Sequence, residues 1–215
     1  MHFLNRQDAG RLLAKALASY SGCDGVVYAL PRGGVVLGYE VAKALGLPLD
    51  LVITRKIGHP NMPEYAIGAV TEKNGLICNE EERSQISPNW LAEAVEKQRQ
   101  EAVRRRRVYL KDTPHISPAG KIAIIVDDGI ATGLTIRAAV QSVRAEKPKE
   151  LVVAVPVAPH NTVVQLQEEA DTVVVLEDDW DYLGAVGAYY DDFRQVSDEA
   201  VIDFLNRSRH EAKNR

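Results

Sequence analysis

The stretch Lys121-Ile122-Ala123-Ile124-Ile125-Val126-Asp127-Asp128-Gly129-Ile130-Ala131-Thr132-Gly133-Leu134-Thr135 decides the fold. Ile122 to Val126 is a short apolar run rich in β-branched residues, the pattern of a strand buried on both faces. Two carboxylates follow at once, then a turn of small residues. Helical spacing then runs from Thr135 to Lys147, and Pro148 marks its end. In an open α/β sheet, ligands bind outside the carboxyl ends of the strands. The carboxylates, the loop amides and the helix N-terminus all fall there, and the last two suit an anion. A plainer role is open to Asp127 and Asp128 as helix caps or loop solvation, since Asp-Gly is an ordinary turn signal. Charges crowded at the end of a fully apolar strand favour a ligand instead. It would bring hydroxyls or a cation to the carboxylates and a phosphate to the amides.

Outward from this unit the pattern repeats. Gly25 to Leu30 reads as a buried strand, Pro31-Arg32-Gly33-Gly34 as a tight loop, and Val35 to Leu45 as a helix ending at Gly46. Glycines 33 and 34 permit close approach of the backbone to a ligand or a positive φ. The loop is neither a Walker motif nor a dinucleotide fingerprint. Leu49 to Ile53 reads as a third strand, with the cations of Thr54-Arg55-Lys56 at its end. Ile57 to Tyr65, holding Gly58, Pro60 and Pro63, is expected to be irregular. Ile67–Thr71 and Gly75–Cys78 read as a hairpin. Asn79 to Asp112 reads as helical and charged, with Ser87-Pro88 a start signal. Its run Arg104 to Arg107 suits a solvated face near the negative helix end, or an arginine on a phosphate. Glu150–Ala158 is a strand, Asn161–Ala170 a helix and Thr172–Leu176 a strand. Buried strands alternating with helices predict an α/β fold with a doubly wound, mainly parallel sheet. Right-handed crossovers bring the ends of the Leu30, Ile53 and Val126 strands to one rim. Asn5 is expected to cap a first helix and Ser197-Asp198 to start the last, with His210 to Arg215 fraying.

The 215 residues, 46% hydrophobic and 26% charged with net charge −4, suit one soluble domain, or one with an appended subdomain, and give no case for nucleic acid or an anionic membrane. No apolar run is long enough to span a bilayer, and the first ten residues lack the apolar core of a secretory leader. Cys23 and Cys78 form no CxxC pair, and reduced thiols in the cytoplasm are expected.

Val126-Asp127-Asp128-Gly129-Ile130-Ala131-Thr132-Gly133-Leu134-Thr135 resembles the phosphoribosyl-pyrophosphate (PRPP) motif of type I phosphoribosyltransferases. Leu30-Pro31-Arg32-Gly33-Gly34, Arg55-Lys56-Ile57-Gly58, Pro63 to Val70 and Val186 to Phe193 resemble a branch of that family with no settled acceptor. The resemblance implies the family's fold as a single domain over 1–215. Its core would cover about 20–176, and a small hood subdomain about 1–19 and 177–215. It implies an enzyme, a pentosyltransferase within the glycosyltransferases. With Mg²⁺, it would move phosphoribose from PRPP to a nitrogenous acceptor, a nucleobase or related ring, and release pyrophosphate. The alternative is a regulatory protein that binds PRPP or a nucleotide without chemistry. The partners are small molecules, with no nucleic acid and no membrane, and a homodimer is possible.

The resemblance also assigns residues. Asp127 and Asp128 take the ribose hydroxyls and the metal, directly or through its water, and favour a cationic ribose as pyrophosphate leaves. Ala131, Thr132, Gly133, Leu134 and Thr135 take the 5′-phosphate. Arg32, Gly33 and Gly34 form the pyrophosphate loop, with a non-proline cis peptide, and Arg55 and Lys56 assist there. Glu64, in the mobile-lid region, is a candidate for the acceptor's proton, and a surface role is open to it. Pro156, Val157, Tyr189, Tyr190 and Phe193 are candidates for the acceptor pocket, although the aromatics suit packing of the hood equally. His160 has both a ligand reading and a surface reading. Ala131 stands where 6-oxopurine enzymes carry an aspartate proposed as base, so that route to hypoxanthine or guanine is disfavoured.

Overall fold

The computed structural model describes residues 1–111 and 113–213. Its centre is a parallel sheet of five strands: β2 (Gly25–Ala29), β3 (Leu49–Leu51), β7 (Ile122–Val126), β8 (Glu150–Pro159) and β9 (Thr172–Asp179). They lie in the order β3-β2-β7-β8-β9, and all neighbours run parallel. Alternation of side chains divides the core in two. Val27, Ala29, Ile124 and Val126 face one apolar cluster, which includes residues of helices α1 (Arg6–Ala16) and α2 (Gly34–Leu45). Val26, Tyr28, Ala123 and Ile125 face the other, under α5 (Leu134–Arg144) and α6 (His160–Glu169). Burial on both faces is why these strands are continuous apolar runs. The expected doubly wound sheet is the one observed.

The third strand is shorter than the expected Leu49–Ile53. It ends at Leu51, and the Ile53 amide donates to Glu72 (3.0 Å) rather than to a neighbouring strand. From there the chain enters a second, antiparallel sheet: β4 (Thr54–His59), β5 (Met62–Thr71) and β6 (Leu76–Cys78). This corrects the irregular segment expected over Ile57–Tyr65, which is a hairpin with a register shift around Gly58. A Cβ on Gly58 would lie 2.2 Å from the Pro63 carbonyl oxygen. The glycine and prolines that read as breakers therefore shape a close bend between paired strands.

The charged helical region is two helices, α3 (Glu80–Gln85) and α4 (Pro88–Leu110), split at Ile86-Ser87. Asn79 caps α3 through the Glu81 amide (2.9 Å). Asp112, the expected end of this region, lies outside the described residues. The chain ends meet in a two-stranded parallel sheet of β1 (Phe3–Asn5) and β10 (Tyr190–Asp192). Asn5 caps α1 by accepting from the Asp8 amide (3.0 Å). The last helix, α7 (Asp198–Lys213), continues through the His210–Lys213 part of the segment expected to fray, and Asn214 and Arg215 lie outside the described residues. No helix among the described residues is long and apolar enough to cross a membrane.

Candidate active site

The pairing of β2 with β7 sets Ala29 beside Val126, so the loops after both strands open side by side at the carboxyl rim. One cavity of about 500 Å³ lies between them. Arg32, Gly33, Arg55, Lys56, Asp127, Asp128, Thr135 and Phe193 line it, together with Arg6 and Arg105. The carboxylates of one loop thus face the cations of the other loop and of β4.

Gly33 explains how close the loops come. A Cβ there would lie 1.8 Å from Asp128 Oδ2, so only glycine leaves room for the carboxylate. The Pro31–Arg32 peptide is cis. Asp127 Oδ1 accepts from the Asp128 amide (2.8 Å), and Asp128 Oδ2 accepts from Arg6 Nε (2.7 Å). Burial, and then the neighbouring Asp128 charge, push the Asp127 carboxyl well above its ordinary value. Burial also raises Asp128, against the pull of Arg6. The Tyr190 hydroxyl donates to the Asp128 carbonyl (2.6 Å) and ties the loop to β10. Behind the loop, the Ile130 amide donates to the Val157 carbonyl (2.9 Å). Ala131 and Thr132 are exposed, and Gly133 precedes α5 with no side chain capping its first-turn amides.

The structure gathers some of the expected residues and separates others. Glu64 is exposed and lines a neighbouring cavity of about 620 Å³ with Arg55, Lys56, His59, Trp90 and Glu93. Pro156 and Val157 are buried within β8 and do not line the central cavity. Tyr189 and Tyr190 are buried as well, and the Tyr189 hydroxyl is bound to Asp179 and the Leu183 amide. Phe193 alone of the five acceptor candidates lines the central cavity, and the Arg6 guanidinium lies 3.7 Å over its ring. His160 stacks on exposed Trp180 (3.6 Å) and binds Asp178 (2.9 Å), away from the central cavity.

Sequence reasoning missed Arg6. Its Nη1 also donates to the Arg194 carbonyl (2.7 Å), so one side chain joins the chain ends to the acidic pair. A signal existed: Arg6 is the first residue of α1, at the positive end of the helix dipole, where a cation is disfavoured unless an anion holds it. The arginine run also divides by role. Arg106 is bound to Asp50 on the edge strand β3 and to Glu72, Arg104 and Arg105 share Glu101, and only Arg105 of the run reaches the central cavity. Among the described residues no group of three or more His, Cys, Asp or Glu is gathered for a metal.

A parallel sheet with an acidic pair and a glycine loop at its rim defines the class of protein. The phosphoribosyl transferase domain model matches residues 4–192, and the chain belongs to that family. A Mycobacterium tuberculosis protein, provisionally named a phosphoribosyl transferase, is 43% identical over 211 residues. The match covers 97% of this chain and 47% of the relative, so the chain spans about half the length of that relative. The crystal structure of TT1426 from Thermus thermophilus is 42% identical with TM-score 0.81, covering 96% of this chain and 99% of that one.

Proposed function

We propose that this chain is a PRPP-dependent phosphoribosyltransferase that joins phosphoribose to a nitrogenous acceptor ring and releases pyrophosphate. It would act as one domain, with a core of about 20–176 and a hood from both chain ends. The observation that carries the reading is the single cavity in which Asp127 and Asp128 face Arg32, Arg55 and Lys56. A ligand filling it must offer hydroxyls or a cation at one wall and a highly charged anion at the other. PRPP offers both.

In this reading Asp127 and Asp128 orient the ribose hydroxyls, and their charge favours the cationic ribose that forms as the bond at C1 breaks. Arg32, Arg55 and Lys56, with the Gly33 and Gly34 backbone, receive the departing diphosphate. Thr135 and the amides from Ala131 hold the 5′-phosphate at the start of α5. Phe193 and Arg6 form the wall available to the acceptor. The donors fit Mg²⁺: two buried carboxylates repel one another, and magnesium takes oxygen ligands while needing few from the protein. When bound, it would neutralise diphosphate charge. A cytoplasmic setting belongs to the same proposal and suits the free Cys23 and Cys78.

Asp127→Asn/Asp128→Asn is expected to fold and to lose Mg-PRPP binding by calorimetry. Unchanged affinity would overturn the assignment. A screen for pyrophosphate release from PRPP with purines, pyrimidines and other amines should find one active acceptor class. Tight PRPP binding without release in any mixture would favour the regulatory protein.

A further inference from the structure

We propose that Arg105, on helix α4, is a further binding residue for the departing diphosphate. The inference rests on the PRPP reading and adds to it a group from outside the two rim loops. Arg105 lines the same cavity as Arg32, Arg55 and Lys56, although it lies near the end of a long helix packed beside β4.

The charges around it are unbalanced. Glu101 Oε1 accepts from both Arg105 Nε (3.1 Å) and Arg104 Nη2 (2.8 Å), while Glu101 Oε2 accepts from Arg104 Nε (2.7 Å). Two arginines thus share one carboxylate, which they hold down at about 2, against partial burial. Their group keeps an excess positive charge at any working pH. Arg55 stands close by. Its only side-chain hydrogen bond found among the described residues goes to the neutral Gln98 amide oxygen (3.1 Å). Burial lowers the Arg55 pKa, and the charges of Arg105 and Arg104 lower it further. Gln98, Glu101 and Arg105 are spaced to share one face of α4, so the helix sets both arginines against the cavity. At Tyr109, one turn further, the hydroxyl donates to Asp198 (2.7 Å), and that carboxylate lies 3.7 Å from Arg32 Nη1.

This arrangement has a cost without a ligand, because Arg55 has no ion-pair partner among the described residues and Arg105 must share Glu101 with Arg104. A diphosphate between them relieves the repulsion and gains charge-assisted hydrogen bonds. A helix-surface pair explains Arg104, whose side chain is 63% exposed and does not line the cavity. It does not explain Arg105, which is 35% exposed and does.

The test is calorimetry on the full chain with inorganic pyrophosphate, Mg-PRPP and ribose 5-phosphate, comparing wild type with Arg105→Gln, Arg105→Lys and Arg104→Gln. Arg105→Gln should weaken pyrophosphate and PRPP roughly ten- to a hundredfold, the range for a lost hydrogen bond to a charged group. Ribose 5-phosphate, which lacks the diphosphate, should bind as to wild type. Arg105→Lys should recover part of the loss, and Arg104→Gln should bind all three as wild type does. Equal pyrophosphate affinity for wild type and Arg105→Gln overturns the inference, and the PRPP reading stands if Mg-PRPP still needs Asp127 and Asp128. Pyrophosphate binding that needs Arg105, in a protein that ignores PRPP, keeps the anion site and overturns the PRPP reading. Absence of binding by wild type to either anion overturns both.

Discussion

Among single residues, Gly33 is the narrowest constraint. Its backbone is helical, with φ −60° and ψ −41°, a conformation that alanine adopts without strain. The need for glycine is therefore spatial: an added methyl would lie 1.8 Å from Asp128 Oδ2 and 2.7 Å from Arg6 Nε. Gly33→Ala must push the carboxylate off its arginine or push the loops apart. We expect Mg-PRPP affinity to fall by more than about tenfold, since at least one charge-assisted hydrogen bond is displaced. A thermal melt should show a much smaller change, because the residue lies at the rim. Wild-type affinity in that variant would show that the loops part freely. The glycine's sequence carried half of this meaning. It announced close approach, but to a ligand, whereas the observed neighbour is a carboxylate from another strand.

Between elements, the two walls of the site are joined where the antiparallel sheet, which carries Arg55 and Lys56, packs on α5, which follows the acidic loop. Thr71 on β5 is fully buried, and its Oγ1 accepts from the Gly75 amide (2.9 Å) and lies 3.1 Å from Ser142 Oγ on α5. Thr71→Val keeps the shape and strands these groups and the Lys73 amide, which also donates to Oγ1 (3.3 Å). It should lower stability by about 1–3 kcal/mol in a denaturant titration, and an unchanged midpoint would remove Thr71 from the account of how the two sheets are held. This contact was not legible in the sequence. The parallel strands were, because burial on both faces writes an unbroken apolar run such as Ile122–Val126. The candidate cavity was legible where one segment supplies its lining, as with Asp127, Asp128 and Thr135. It was not where side chains converge from distant elements: Arg6 went unnoticed, and the run Arg104 to Arg107 offered an arginine for a phosphate without saying which one reaches the cavity. The β4–β5 hairpin was missed because Gly58 and Pro63, ordinary breakers, here form a bend within paired strands.

Across the whole molecule, a half-buried charge cluster ties the strand edge to the linker that feeds β7. His115 Nδ1 lies 2.9 Å from Asp50 and its Nε2 lies 2.8 Å from Glu146, so the ring is best satisfied when both nitrogens carry protons. Arg106 binds Asp50 (2.8 Å) and Glu72 (3.2 Å), Lys73 binds Glu146 (2.7 Å), and the Tyr28 ring stacks on the imidazole. The Asp50 hydrogen bond raises the His115 pKa; burial opposes it, and Glu146 adds to the rise. For a raised group the stabilisation is complete below the ordinary value near 6.5 and is lost as pH climbs through the higher folded value. Asp50 has the opposite sign. Burial pushes it up, but His115 and Arg106 outweigh burial and leave it lowered, so its contribution is lost only in acid. Melting temperatures should therefore decline as pH rises above about 6.5. His115→Gln, which keeps polarity without the charge, should be less stable at the lower pH and should flatten that decline. The same alkaline slope in wild type and variant would mean that other groups set it, and that the histidine holds the linker by shape alone.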